Sequence, residues 1–261
     1  MDLSLIGKNA LVGGASAGIG RAAAMELAAL GANVTAVART EKTLRETLAA
    51  LDSSRGQQHH FLVADYADLE DLMEKINALL AQRPIHILIN NTGGPPGGPI
   101  AEAKTAAFLS AYQHHLLCNQ ALAQAVLPGM KAAGYGRIVN VISTSVKEPL
   151  EGLGVSNTTR WAVAAWAKTW AGEVAPFGIT VNNVLPGFTR TGRLTDLIEK
   201  RAAALGVDTE QVEAQWQQTV PARRFAQPEE VAAAIAFLAS PAASYINGVN
   251  LPVDGGRTKS L

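Results

Sequence analysis

Short apolar runs, rich in Val and Ile, recur along the chain at Asn9–Val12, Asn33–Ala38, His60–Ala64, Ile85–Asn90, Arg137–Ile142, Ile179–Leu185 and Val249–Val253. Their apolar character is nearly continuous rather than alternating, which predicts strands buried on both faces. Between them lie Ala/Leu-rich stretches of helical period near Ala17–Leu30, Thr43–Leu51, Leu69–Ala81, Ala106–Ala133, Asn157–Ala175 and Pro228–Ala239. Strand–helix alternation of this kind predicts an α/β fold, a doubly wound seven-stranded parallel sheet flanked by helices. No repeat or linker divides the chain, so residues 1–261 are expected to form one dinucleotide-binding domain. The stretch from Gly187 to Gln227 interrupts the alternation. Its spaced Leu194, Leu197, Ile198, Leu205, Val212, Trp216 and Val220 suggest short amphipathic helices. Such an insertion (about 188–227) lies where ligands bind in open sheets, and reads as a substrate lid or as a helical pair packed on the body.

Composition narrows the picture. Residues of the AVILMFWYC set make up 48% and charged residues 17%, which excludes disorder. Lys+Arg and Asp+Glu balance at 22 each, leaving no electrostatic footprint for nucleic acid or an anionic membrane. The start lacks the pattern of a signal peptide, and no apolar run approaches a membrane span. A soluble, cytoplasmic protein is expected. The single cysteine, Cys118, excludes an intrachain disulfide and a Cys-based zinc site, and His59-His60 lacks a third ligand, so no metal is expected.

The candidate chemistry begins at Gly13-Gly14-Ala15-Ser16-Ala17-Gly18-Ile19-Gly20, after the first strand and at the start of a helix. Gly14 permits a tight turn, Gly18 lets the backbone approach a pyrophosphate, and Gly20 allows close helix–strand packing. Amides at the helix start then face the phosphates. The second strand ends in Val37-Ala38-Arg39-Thr40, with no acidic residue to bind ribose hydroxyls. Arg39 can instead grip a 2′-phosphate, so NADP(H) is expected over NAD(H). Asp65 either meets the adenine amino group or caps the helix starting near Asp68.

Further motifs follow in order: Asn90-Asn91-Thr92-Gly93, Gly136-Arg137-Ile138-Val139-Asn140-Val141-Ile142-Ser143, Asn182-Asn183-Val184-Leu185-Pro186-Gly187 and Val253-Asp254-Gly255-Gly256. Together they resemble the short-chain dehydrogenase/reductase family, most closely its 3-oxoacyl reductase-like branch, over essentially the whole chain. The resemblance implies cofactor contacts from Gly14, Ser16, Ile19, Asp65, Asn90, Gly93 and the turn of Pro186, Gly187 and Thr189. Ala17, Tyr66, Asn91 and Thr92 are expected beside them. It makes Ser143 the serine that hydrogen-bonds the substrate oxygen. Where the family has Tyr-x-x-x-Lys, this chain has Ser156 and Arg160, and His115 aligns with the family's helix asparagine. A serine hydroxyl is a far poorer acid than a tyrosine of pKa about 10. Arginine stays charged and relays no proton, though Arg160 can steady negative charge on a carbonyl oxygen.

Another proton source is therefore needed. Lys147 is a candidate, or a surface lysine paired with Glu148 or Glu151. His115 is another, or a satisfied core histidine. Water passing by Ser143 and Ser156 is a third. Trp161, Trp166 and Trp170 share the Arg160 helix, and the resemblance implies subunit packing there, in a homo-dimer or homo-tetramer. Cys118 reads as a small core residue. The expected function is NADPH-dependent reduction of a small-molecule carbonyl, of 3-oxoacyl or acyl-thioester type, in fatty acid metabolism. The competing reading is a degenerate NADP(H)-binding sensor or structural subunit.

Overall fold

The computed structural model describes residues 1–260. Its centre is one parallel sheet of seven strands in the order β3-β2-β1-β4-β5-β6-β7. The strands are β1 (Asn9–Gly13), β2 (Asn33–Ala38), β3 (His60–Val63), β4 (Ile87–Asn90), β5 (Gly136–Val141), β6 (Ile179–Pro186) and β7 (Asn250–Val253). The apolar runs form these strands because both faces of the sheet are covered. Leu11 and Leu88 face one helical layer while Val12 and Ile89 face the other. Pro252 lacks an amide hydrogen and stands in β7, an edge strand, where its loss is tolerated.

Helices α1 (Gly18–Ala29) and α9 (Pro228–Ala239) share one face with Leu44 of α2 (Glu41–Ala49). Helices α3 (Leu69–Leu80), α5 (Cys118–Ala133) and α6 (Gly154–Val174) cover the other. Local chemistry fixes their starts. The Asp68 carboxylate accepts from the Asp71 amide at 3.0 Å to cap α3. Gln227 and Glu230 form a capping box before α9, with Pro228 in its first turn.

The long helix expected over 106–133 is divided. It runs as α4 (Thr105–Tyr112), a wide π-helical turn over Gln113–Leu117, and then α5. The expected helix from Asn157 starts earlier, at Gly154. The insertion after β6 forms α7 (Gly192–Leu205) and α8 (Thr209–Gln218). These pack around a small core of their own, in which Leu194, Ile198, Ala202, Val212 and Phe225 are buried against Phe188 and Trp216.

Four asparagines cross the sheet in register. Asn90 Nδ2 donates to Asn140 Oδ1, Asn140 Nδ2 to Asn183 Oδ1, and Asn183 Nδ2 to Asn250 Oδ1, each at 2.8 Å. The strand register pairs Asn90 with Asn140, Asn140 with Asn183, and Asn183 with Asn250. Buried amides are costly unless bonded, so this ladder ties four neighbouring strands to a single register.

Candidate active site

A cleft of about 750 Å³ opens beyond the carboxyl ends of the strands. That size suits a cofactor or substrate pocket. One wall is the turn after β1. Gly14 holds a positive φ of 59°, a conformation that costs a residue with a side chain. A Cβ at Gly20 would overlap the Gly14 carbonyl and lie 2.6 Å from Asn91 Nδ2. Asn91 Nδ2 in turn donates to the Gly13 carbonyl at 3.1 Å, tying the turn to the end of β4. Gly14, Ser16, Ala17, Gly18 and Ile19 line the cleft, while Gly20 packs beneath them.

The remaining expected cofactor positions surround the same space, except Asn90, which is buried in the sheet with its amide donating to Asn140 and does not line the cleft. Arg39, Asp65, Tyr66, Asn91, Thr92, Gly93, Pro186, Gly187 and Thr189 all line it. Arg39 is exposed at the end of β2. The Asp65 carboxylate accepts from the Ala67 amide at 3.0 Å, so the α3 cap belongs to Asp68 and not to Asp65. Tyr66 is buried, and burial pushes its phenol well above the usual range. The Gly187 amide donates to Val253 O at 3.0 Å, which carries the chain from β6 across β7 into the α7–α8 insertion.

Ser143, Ser156 and Arg160 line the opposite part of the cleft. Ser143 Oγ accepts from the Ser145 amide at 3.0 Å, which fixes the hydroxyl at the end of β5. Arg160 is only 7% exposed, and its Nη1 donates to Val141 O at 3.0 Å. Its Nε is buried without a partner. Burial, with the Arg193 guanidinium near, pulls Arg160 down to about 10, so it keeps its charge at neutral pH. Arg193, from α7, donates to Gly94 O at 3.3 Å and Pro95 O at 2.6 Å.

Two proposed proton donors sit elsewhere. Lys147 follows a short helical turn after Ser143 and does not line the cleft. His115 is 2% exposed in the π-helical turn, with Nδ1 2.6 Å from Thr92 Oγ1. Burial first, then the Arg160 charge, depresses it to about 2, so it stays neutral in the folded chain. Its neighbour His114, which sequence reasoning did not single out, lines the cleft instead. His114 Nδ1 lies 2.6 Å from Ser110 O. A carbonyl can only accept, so that nitrogen bears the proton and Nε2 is left for other partners. A wide turn adds a residue to the helical repeat, and no periodicity argument anticipates it.

Cys118 Sγ donates to Tyr66 O at 3.2 Å, and burial pushes its thiol up to about 11. Trp166 and Trp170 both donate to Gln120 Oε1, at 2.7 and 3.0 Å, while Trp161 is half exposed and donates to Ser145 O at 2.8 Å. Among the described residues no cluster of metal-binding side chains occurs, and no helix is long and apolar enough to cross a membrane.

A glycine turn beneath a helix start, at the carboxyl edge of a parallel sheet, defines a dinucleotide-binding α/β protein. Comparison with known proteins narrows the class. The family described as Enoyl-(Acyl carrier protein) reductase matches residues 14–258. The chain is 35% identical over 250 residues to the 3-oxoacyl-[acyl-carrier-protein] reductase FabG of Haemophilus influenzae, covering 96% of this chain and 98% of that protein. Its fold superposes on L-sorbose reductase from Gluconobacter frateurii, complexed with NADPH and L-sorbose, with a TM-score of 0.93 and 31% identity over the whole of both chains. An actinorhodin polyketide ketoreductase with NADPH matches at a TM-score of 0.90 and 31% identity, covering 97% of each chain. This chain therefore belongs to the short-chain dehydrogenase/reductase family of oxidoreductases.

Proposed function

We propose that the protein is an NADPH-dependent carbonyl reductase with an altered proton relay. The observation that carries this reading is the continuity of the cleft, which joins the Gly14–Ile19 turn and Arg39 to Ser143 in one cavity. The residues present suit the cofactor. Gly14 and Gly20 let the turn pack closely against Asn91 and against itself, and Gly18 and Ile19 at the start of α1 line the cleft, where helix-start amides would meet a diphosphate. Arg39 is the side chain that would hold a 2′-phosphate. When bound, a reduced nicotinamide supplies hydride to the substrate carbonyl.

This chain's own residues do the rest. Ser143 donates a hydrogen bond to the substrate oxygen and orients it. Arg160 stabilises the negative charge that grows there, in a site where burial strengthens the interaction. It holds its own proton, so the proton must come from elsewhere. His114 places an imidazole on the cleft wall, and Ser156 is a hydroxyl able to pass a proton between solvent and oxygen. The 3-oxoacyl class is supported by the FabG relative and the polyketide ketoreductase neighbour. The α7–α8 insertion closes one side as a lid, since Phe188, Leu194 and Leu197 face the cleft.

The test is NADPH oxidation across 3-oxoacyl thioesters of graded length. Turnover is expected, falling by about 100-fold in Ser143→Ala, with the pH profile altered in His114→Gln. Saturable NADPH binding without turnover on any carbonyl would favour a binding role for the protein instead.

A further inference from the structure

Two guanidinium groups meet at the loop after β4, and among the described residues no carboxylate pairs with either. A point one bond from the Gly94 Cα, where a side chain would begin, lies 3.5 Å from Arg193 Nη2 and 3.7 Å from Arg160 Nη2. Both side chains bond only neutral carbonyls: Arg160 that of Val141, Arg193 those of Gly94 and Pro95. The ion pairs among the described residues lie elsewhere, at Arg45–Glu41, Lys75–Asp71, Arg190–Glu213 and Arg224–Glu230. Asp65 is the single acidic residue of the cleft lining. It stands after β3, at the far side of the sheet, with its carboxylate turned to the Ala67 amide.

A buried charge is costly unless paired, and a second like charge beside it adds to the cost. Here Arg160 is more than nine-tenths buried, keeps an unpartnered Nε, and has another cation for a neighbour. The phosphates of a dinucleotide already have partners in the turn after β1 and, at the other end, in Arg39. Arg160 belongs to the Ser143 and Ser156 side, where a substrate would sit. Gly94 leaves the space next to both guanidinium groups without a side chain.

We infer that the substrate carries a carboxylate of its own, held by Arg160 and Arg193 beside the reacting carbonyl, so that within the oxoacyl class a free oxo acid is preferred over the matching neutral ketone, ester or thioester. The inference rests on the reading of the cleft as a carbonyl-reducing site. A planar carboxylate matches the guanidinium fork and supplies the counter-charge the pocket lacks.

Acetoacetate and its methyl ester share a ketone and differ in charge, as do pyruvate and methyl pyruvate. Longer 2-oxo and 3-oxo acids, each with its methyl ester, extend the series. Each is titrated calorimetrically into the protein loaded with NADP⁺, where no ketone can be reduced, and NADPH oxidation is followed in parallel. The expected result is an acid favoured over its ester by about 30-fold or more, with that preference lost in Arg160→Gln and in Arg193→Gln. Arg193 is exposed, so its variant keeps the test valid should the buried substitution disturb folding. NADPH affinity should stay at its wild-type value in Arg193→Gln.

Equal binding of acid and ester, or no saturable binding of any acid in the series, overturns the inference. So does a loss of NADPH affinity matching the loss of acid binding, which would assign the two arginines to the cofactor. Failure of the reductase reading looks different: an acid binds in an arginine-dependent way but no carbonyl compound consumes NADPH.

Discussion

Arg39 stands exposed where β2 enters the cleft, and among the described residues it makes no ion pair. A charge-assisted contact to a phosphate contributes about 1.5–3 kcal/mol, whereas the ribose hydroxyl of NADH offers no charge. Arg39→Ala should therefore weaken NADPH by roughly 10- to 100-fold and leave NADH nearly unaffected, as fluorescence titration of the two cofactors would show. Equal losses for both would remove the 2′-phosphate assignment. Residues of this kind were legible because position alone defines them: a strand end, a glycine turn, a serine closing β5. The histidine pair shows where that legibility stops. The two neighbours differ by one step along the helix, and the wide turn at Gln113–Leu117 decides which faces the cleft. It brings His114 to the wall and seats His115 against Thr92. The seat of Arg193 beside Gly94 was hidden for another reason, since it reaches that loop from a helix 99 residues further along the chain.

Strands and most helices could be read from the sequence because burial on both faces leaves a plain signature in the order of residues. Their bounds moved by a few positions, since the apolar runs overshoot the paired segments, as at Ile85 before β4. The asparagine ladder left no such trace. Asn90, Asn140, Asn183 and Asn250 look like isolated polar residues until strand register aligns them. Asn140 is its most committed rung, fully buried, donating to one neighbour and accepting from the other. Asn140→Ala removes both bonds and leaves an Asn90 donor and an Asn183 acceptor unsatisfied. A loss of about 2–5 kcal/mol is expected from urea unfolding. Asn140→Leu should be no milder, because the orphaned amides remain. A loss within about 0.5 kcal/mol would mean that the ladder contributes little to the register.

Folding of the whole chain should depend on pH through its histidines. Burial holds His115 near 2, and His60 and His86 are lowered in the same direction by burial. The unfolded chain takes up these protons near pH 6.5, while the folded chain resists them. The stability they contribute is thus fully present above about pH 6.5 and is lost as pH falls. For His115 alone the loss between pH 6.5 and 5 is about 2 kcal/mol. Urea midpoints measured at pH 7 and pH 5 should fall in the wild type and fall less in His115→Gln, which keeps a polar partner for Thr92. An identical drop in both would show that His115 does not govern the slope. Charge acts beyond stability as well. The chain is neutral overall, yet the cleft carries Arg39, Arg160, Arg193 and Arg257 against Asp65 alone. Asp254 and Glu148 act on Arg257, so the excess positive charge of the cleft gathers at Arg39, Arg160 and Arg193. Anions diffusing past are drawn to the cleft and turned toward it before contact, within about 8–10 Å at ordinary ionic strength. The speed of their capture is then governed by dissolved salt, even where the fit of the final complex is unchanged.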